Sequence, residues 1–261
     1  MKISEKLNEK YGKEHLSYSS LKIALSDMAR FDMYMRGDLK FESDALSFGT
    51  LYDMLLFEPK KASEHYVVFS EDDVVQTLSD KAQSSARPKA TSEYKAAVNL
   101  IKTQALEEGK TVCPKEDWDQ AMNMISRLDD CGLIDEYLSS QNFQVEFKQD
   151  LNGVVVKGFL DCLGDGFIVD SKSTNSIERF RYSVRDFSYD IQAYIYTKVF
   201  SVDSFYWLVQ EKAYPYLPAI VECSDETIFN GEMKFHEAVR RISKFLKDDY
   251  EPQKDYVRFK V

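Results

Sequence analysis

Cysteine, histidine and proline are scarce: the 261 residues include four cysteines, three histidines and six prolines. Cys113, Cys131, Cys162 and Cys223 are widely and irregularly spaced, with no CxxC pair. A zinc ribbon or an iron–sulfur cluster needs close pairs that converge on one metal, so neither is expected. Reduced, buried cysteines of a cytosolic protein are the reading that remains. His15, His65 and His236 are scattered, which leaves a His-centred metal site or a Ser/His/Asp triad poorly supported. No apolar run approaches the roughly 20 residues of a membrane span. The opening MKISEKLNEKYGKEH lacks the apolar stretch of an export signal. The expectation is a cytoplasmic chain without a membrane partner. Positive charge is also in deficit, with 34 Lys and Arg against 44 Asp and Glu, a formal net charge of −10. That excludes coating nucleic acid by bulk charge but leaves room for a local basic groove.

What is present is a globular composition, 44% hydrophobic and 30% charged, which excludes disorder over the whole chain. The length suits one domain, or one domain with a subdomain. The first half reads as helical. LSYSSLKIALSDMARFDMYMRG is a short extended start and then a helix capped by Ser17 or Ser19. Further helices are expected over 47–57, over 94–108 with a stop at Gly109, and around Trp118, Met122, Ile125 and Leu128. Residues 69–92, polar and rich in Ser and Ala, read as a loop or mobile segment. From about Asn142, FQVEFKQ, GVVVKGFLDCL and FIVDSKS read as strands. A helix over 184–200, the strand SFYWLVQE with PAIVEC as its hairpin partner, and a long last helix capped by Ser224 or Asp225 complete the chain. The expected organisation is a single domain, residues 1–261, helical over 1–140 with a sheet core over 141–261.

The chemistry concentrates in GFLDCLGDGFIVDSKST, residues 158–174. Asp165-Gly166 between two apolar runs is a two-residue hairpin signal. With that turn, Gly164 faces Phe167 and Asp161 stands opposite Asp170. Lys172, two residues on, shares their face. Two carboxylates opposed on a sheet repel, and something must offset them. A divalent cation with oxygen ligands is one solution, with the ammonium free to hold or deprotonate a water or to stabilise a phosphoryl oxygen. A solvated surface hairpin with Lys172 as a salt-bridge partner is another. The apolar flanks Val154–Val156 and Phe167–Val169 weigh against it. On the following helix Gln192 and Tyr196 share a face, which Arg185 and Tyr189 extend. That stripe reads as a phosphate- or base-contacting face, or simply as a solvated one.

The order D161-(x)8-D170-S-K172 and then Q192-AYI-Y196 resembles the PD-(D/E)XK nuclease superfamily, with the QxxxY signature of its RecB-like branch. Within it the chain is most similar to the RecE (exonuclease VIII)-like nucleases of phages and prophages. The likeness extends to LSYSSLKIALSDMARFDMYMRG, SFGTLYDMLLFEP, ARPKATSEYKAAV, NGVVVKGFLDCL, IVDSKST and FYWLVQEKAYPY. The resemblance implies an α/β fold, a restriction-endonuclease-like core whose mixed central sheet is flanked by helices beside an N-terminal helical region. It implies that Asp161 and Asp170 bind metal, that Lys172 is the catalytic lysine, and that Gln192 and Tyr196 stand at the site. Glu146 lies where related nucleases carry a further acid, and reads equally as a sheet-edge charge. The family's helical histidine falls on Asp53, which would complete the metal shell. The family's arginine before the first acid is missing around Phe159–Leu160. The implied reaction is Mg²⁺-dependent hydrolysis of double-stranded DNA from its ends, with Mn²⁺ as an alternative metal. The implied setting is phage-type recombination with a single-strand annealing partner, in a bacterial or phage-infected cytoplasm and in some relatives as a homo-oligomeric ring. An endonuclease or single-strand nuclease on the same fold, and a non-catalytic DNA-binding or inhibitor protein, are the rival readings. In a chain of net −10, DNA contact must come from a local lining. Its candidates are Arg87, Lys89 and Lys95, Lys157, and Arg179, Arg181, Arg185 and Tyr189.

Overall fold

The computed structural model describes residues 2–39, 44–139 and 142–247. The chain divides into two compact units. Among the described residues, the first draws on 2–39, 137–139, 142–211 and 218–247, and the second on 44–136 and 212–217.

The first unit begins with three helices, α1 (Ile3–Tyr11), α2 (Tyr18–Ser26) and α3 (Met28–Arg36). The single helix expected after Ser17 is divided because Asp27, extended at φ −159°, ends α2 and accepts the Arg30 N–H as the cap of α3. Ser17 caps α2 by accepting the Ser20 N–H, and the Ser20 hydroxyl reciprocates toward the Ser17 N–H.

The second unit holds α4 (Asp44–Phe57), α5 (Pro59–His65), β1 (Tyr66–Phe69), α6 (Glu71–Gln76), α7 (Asp80–Gln83), α8 (Ser92–Glu107), β2 (Thr111–Pro114) and α9 (Lys115–Asp130). The parallel β1–β2 pair was not apparent from the sequence. Residues 69–92, expected as a loop, carry α6, α7 and one 3₁₀ turn, Pro88–Ala90. The residues that suggested a linker act as caps: Ser70, Ser79 and Thr91 each accept a backbone N–H at a helix start. Val74, Leu78 and Ala82 bury against Tyr94.

The first unit then resumes with β3 (Asn142–Leu151), β4 (Val154–Leu163), β5 (Phe167–Thr174), α10 (Phe180–Asp186), α11 (Tyr189–Phe200), β6 (Ser204–Glu211), β7 (Pro218–Glu222) and α12 (Asp225–Phe245). The five strands form one mixed sheet in the order β3-β4-β5-β6-β7, with β5 and β6 parallel and the other neighbours antiparallel. This is the expected α/β architecture. Ser224 is the cap of α12, accepting the Thr227 N–H. The helix expected over 184–200 is broken at Phe187–Ser188, where Ser188 takes φ 57°. Arg185 therefore does not continue the Gln192–Tyr196 face.

The core of this unit joins Ile168, Phe205, Trp207 and Val209 of the sheet to Ile191, Ala193, Tyr194 and Ile195 of α11 and to Phe235, Ala238 and Ile242 of α12. Helices α11 and α12 approach closely at Gly231, where an added Cβ would lie 2.0 Å from the Asp190 carbonyl oxygen. Gly231→Ala should force the helices apart and destabilise the protein by about 1–3 kcal/mol or more, read as a lowered melting temperature. An unchanged melting temperature would show that the crossing relaxes freely.

Candidate active site

The Asp165-Gly166 turn forms as expected, and the Gly164 N–H donates to the Phe167 carbonyl at 2.8 Å. The pairs Leu163↔Ile168 and Cys162↔Val169 follow, which continues the register to Asp161 opposite Asp170. There β4 and β5 part. Beyond the split, β4 gains a different neighbour: the Leu16 N–H donates to Val155 at 2.9 Å, and the Lys157 N–H donates to Leu16 at 2.8 Å. The two aspartates thus stand at the mouth of a splayed strand pair, where backbone groups lack ladder partners and side chains take their place. The Ser171 N–H donates to Asp161 Oδ2 at 2.9 Å, and the Tyr196 hydroxyl donates to the Phe159 carbonyl at 2.8 Å. Gly158 admits the Tyr196 hydroxyl, since a Cβ there would lie 3.3 Å from it and 2.9 Å from the Phe147 ring.

Asp170 is 1% exposed. Its Oδ1 accepts the Gln192 amide at 2.7 Å, and its Oδ2 forms an ion pair with the Lys172 ammonium. Gln192 and Tyr196, at 8% and 5% exposure, are neither a solvated face nor a DNA-facing stripe. They face inward, with Gln192 Nε2 3.4 Å from the Tyr196 hydroxyl, and hold Asp170 and the edge of β4 in place. Gln144 reaches Asp161 at 3.4 Å from a left-handed backbone position, φ 49°. Lys172 also donates to the Ser171 carbonyl at 3.1 Å and lies 5.1 Å from the Tyr189 ring centre.

Burial pushes both aspartate carboxyls above their ordinary range, opposed by the Lys172 charge. The Lys172 ammonium is itself desolvated, but the carboxylates beside it hold its pKa above normal. In the metal-free protein Lys172 therefore keeps its proton. Two desolvated carboxylates facing one ammonium leave excess negative charge among hard oxygen donors, a set that fits Mg²⁺ better than a soft metal. Among the described residues no three His, Cys, Asp or Glu side chains are grouped to hold a metal.

The other candidates are placed variously. Glu146, opposite Phe159 on β3, pairs with Lys157 at 2.7 Å, so each largely neutralises the other. Arg181 stacks on Tyr182, its guanidinium 4.8 Å from the ring centre. Arg185 pairs with Asp186 at 3.0 Å. Arg179 is exposed. In the second unit Asp53 is half-buried on α4, Arg87 and Lys95 are exposed, and Lys89 pairs with Glu71 at 2.7 Å and Asp72 at 3.3 Å. Sequence reasoning missed Gln144, Tyr18 and Lys22. Burial and then the Lys172 charge lower the pKa of Lys22, and the same charge opposes the rise that burial imposes on the Tyr18 hydroxyl. Gln144 was within reach of the hairpin logic, because continuing the β3–β4 register places it opposite Asp161.

An opposed aspartate pair, a lysine two residues beyond the second acid and a glutamine–tyrosine clamp on α11 define a PD-(D/E)XK-like domain. The chain belongs to the PDDEXK-like family of domains of unknown function, DUF3799, whose pattern matches residues 17–258. It is similar in fold to the crystal structure of a candidate exonuclease from Eubacterium rectale, with TM-score 0.61 and 16% identity over 98% of this chain and 92% of that one. An alkaline exonuclease from Laribacter hongkongensis gives TM-score 0.31 and 13% identity over 68% of this chain and 89% of that one. No curated protein matches. No helix among the described residues is long and apolar enough to cross a membrane.

Proposed function

We propose that the chain is a metal-dependent deoxyribonuclease that hydrolyses phosphodiester bonds at the ends of double-stranded DNA. The observation that carries this reading is the opposed Asp161–Asp170 pair with Lys172 paired to its second member and Gln192 locking it. Asp161 and Asp170 would hold Mg²⁺, or Mn²⁺ in its place. The metal would supply a polarised water and neutralise charge on the scissile phosphate.

The chain's own side chains do the rest. Gln192 fixes one oxygen of Asp170, so its carboxylate has one orientation. Tyr196 pins β4 at Phe159, which keeps the strands splayed. Lys172 orients the attacking water and stabilises the phosphoryl oxygens as charge develops. The new bond joins the water oxygen to phosphorus and the bond to the 3′ oxygen breaks. The proton released by the water is returned to that leaving oxygen, and the product keeps a 5′-phosphate.

Similarity to a candidate exonuclease and the resemblance to RecE-like nucleases support action at ends. From that resemblance we also infer a recombination role with a single-strand annealing partner, assembly as a homo-oligomeric ring, and a cytoplasmic setting. Asp53 is inferred to take the role of the family's histidine. Asp53→Ala should then lower cleavage at limiting Mg²⁺ by about 10–100-fold, with partial recovery at high Mg²⁺. A variant with the parent's Mg²⁺ dependence would remove Asp53 from the metal shell. The function as a whole is tested by incubating end-labelled linear and closed circular DNA with Mg²⁺, Mn²⁺ or chelator. Loss of linear DNA alone, and only with metal, is the expected result. Cleavage of the circle would make the enzyme an endonuclease.

A further inference from the structure

The break between α10 and α11 leaves an aromatic side chain unburied close to the catalytic lysine. Phe187 is 49% exposed. Its ring lies 5.6 Å from that of Tyr189, and the Tyr189 ring centre lies 5.1 Å from the Lys172 ammonium. On its other side, the Phe187 carbonyl accepts the Tyr18 hydroxyl at 2.5 Å, and the Lys22 ammonium lies 5.3 Å from the Tyr18 ring centre. Two ammonium groups thus bracket three aromatic rings. Phe187, Lys22, Arg30 and Asp186 border a cavity of about 350 Å³. Asp186 is held by Arg185 at 3.0 Å, so its charge at the rim is compensated. Lys22 is half-buried, and among the described residues no carboxylate pairs with it. Burial and the neighbouring Lys172 charge both press its pKa down, which an anion bound beside it would relieve.

We propose that Phe187 and Lys22 form a nucleotide subsite, in which one unpaired base of the DNA end stacks on Phe187 while Lys22 pairs with a backbone phosphate. This rests on the nuclease reading and deepens it. The cavity is of a size that holds a small organic group. An open aromatic face beside cations is the chemistry that binds a single strand without sequence preference. A base inside a duplex has both faces stacked on its neighbours, so the subsite selects a frayed or single-stranded terminus over an internal duplex position.

The test uses the full chain and a 5′-labelled oligothymidine, with binding followed by fluorescence anisotropy in chelator and again in Ca²⁺. Phe187→Ala should weaken binding about tenfold with an unchanged salt slope, and Phe187→Trp should restore it. Lys22→Gln should reduce the salt slope by about 0.7, the share of one single-strand phosphate. An abasic residue moved along the oligonucleotide should cost the parent the same factor at one position. Phe187→Ala should lose nothing further there, a coupling that a merely structural role of Phe187 would not produce. If Phe187→Ala misfolds, Phe187→Leu keeps the apolar contact without the aromatic face and should show the same loss. Variants that bind as the parent does, or an abasic scan without coupling, would overturn the subsite. If the parent still cleaves linear DNA in that case, the nuclease reading stands. A parent that neither binds nor cleaves would fail at the earlier step.

Discussion

Asp161→Asn is expected to lower metal-dependent cleavage on the order of 10²–10³-fold while leaving the metal-free protein at least as heat-stable as the parent. The substitution removes one of two like charges facing each other in a buried site. The Asn oxygen can still accept the Ser171 N–H that Asp161 accepts at 2.9 Å. Repulsion falls and the backbone contact survives. The pH dependence follows from the same carboxyls. Burial holds both above their ordinary range, with Asp170 pushed up to about 7. As pH rises from the ordinary carboxylate value toward the raised one, the unfolded chain releases protons that the folded chain still binds. These groups therefore make the metal-free protein less stable across that window. Asp161→Asn should flatten the decline, and Mg²⁺ should reverse it in the parent, both read from melting temperature against pH. A large drop in melting temperature for Asp161→Asn would assign this acid a structural role instead.

Asp170→Ala is expected to behave oppositely in stability, with a loss of about 3–5 kcal/mol alongside the loss of cleavage. Asp170 is 1% exposed and joins two buried partners, the Lys172 ammonium and the Gln192 amide. Removing it leaves an ammonium short of its closest counter-charge and an amide without its acceptor. The penalty is for stranding those groups and does not measure the worth of the pair. Asp170→Ala/Lys172→Met should recover much of the stability and none of the activity, in urea unfolding and in the cleavage assay. If Asp170→Ala unfolds at the parent's urea concentration, the Asp170–Lys172–Gln192 cluster is not an energetic unit. This asymmetry was not legible beforehand, because two aspartates at the ends of a hairpin look equivalent until their partners are seen.

The hairpin itself was legible because Asp165-Gly166 is a local signal and the side-chain period of strands is 2, so register follows by counting. The cap of α12, the stop of α8 before Gly109 and the antiparallel β6–β7 pair were legible for similar local reasons. The inward turn of Gln192 and Tyr196 was not, since a polar stripe on a helix reads the same whether it faces water or a buried carboxylate. Only packing against Asp170 and Phe159 separates the two. The break at Phe187–Ser188 has no Gly or Pro to announce it. There Ser188 occupies a left-handed conformation that its residue type does not advertise. Residues 69–92 misled for a related reason. Serine is at home both in a linker and at a helix start, and burial of Val74, Leu78 and Ala82 decided between them.

Whether the Asp161–Asp170 pair is the cleavage site is decided by comparing the parent with Asp161→Asn on end-labelled linear duplex DNA, with Mg²⁺ and with chelator, at protein concentrations where both are folded by melting temperature. The parent should release label with Mg²⁺ alone, and neither the chelated parent nor the folded variant should release any above background. Equal degradation by parent and Asp161→Asn would contradict that assignment, because a nuclease that does not need this carboxylate does not use the Asp161–Asp170 site.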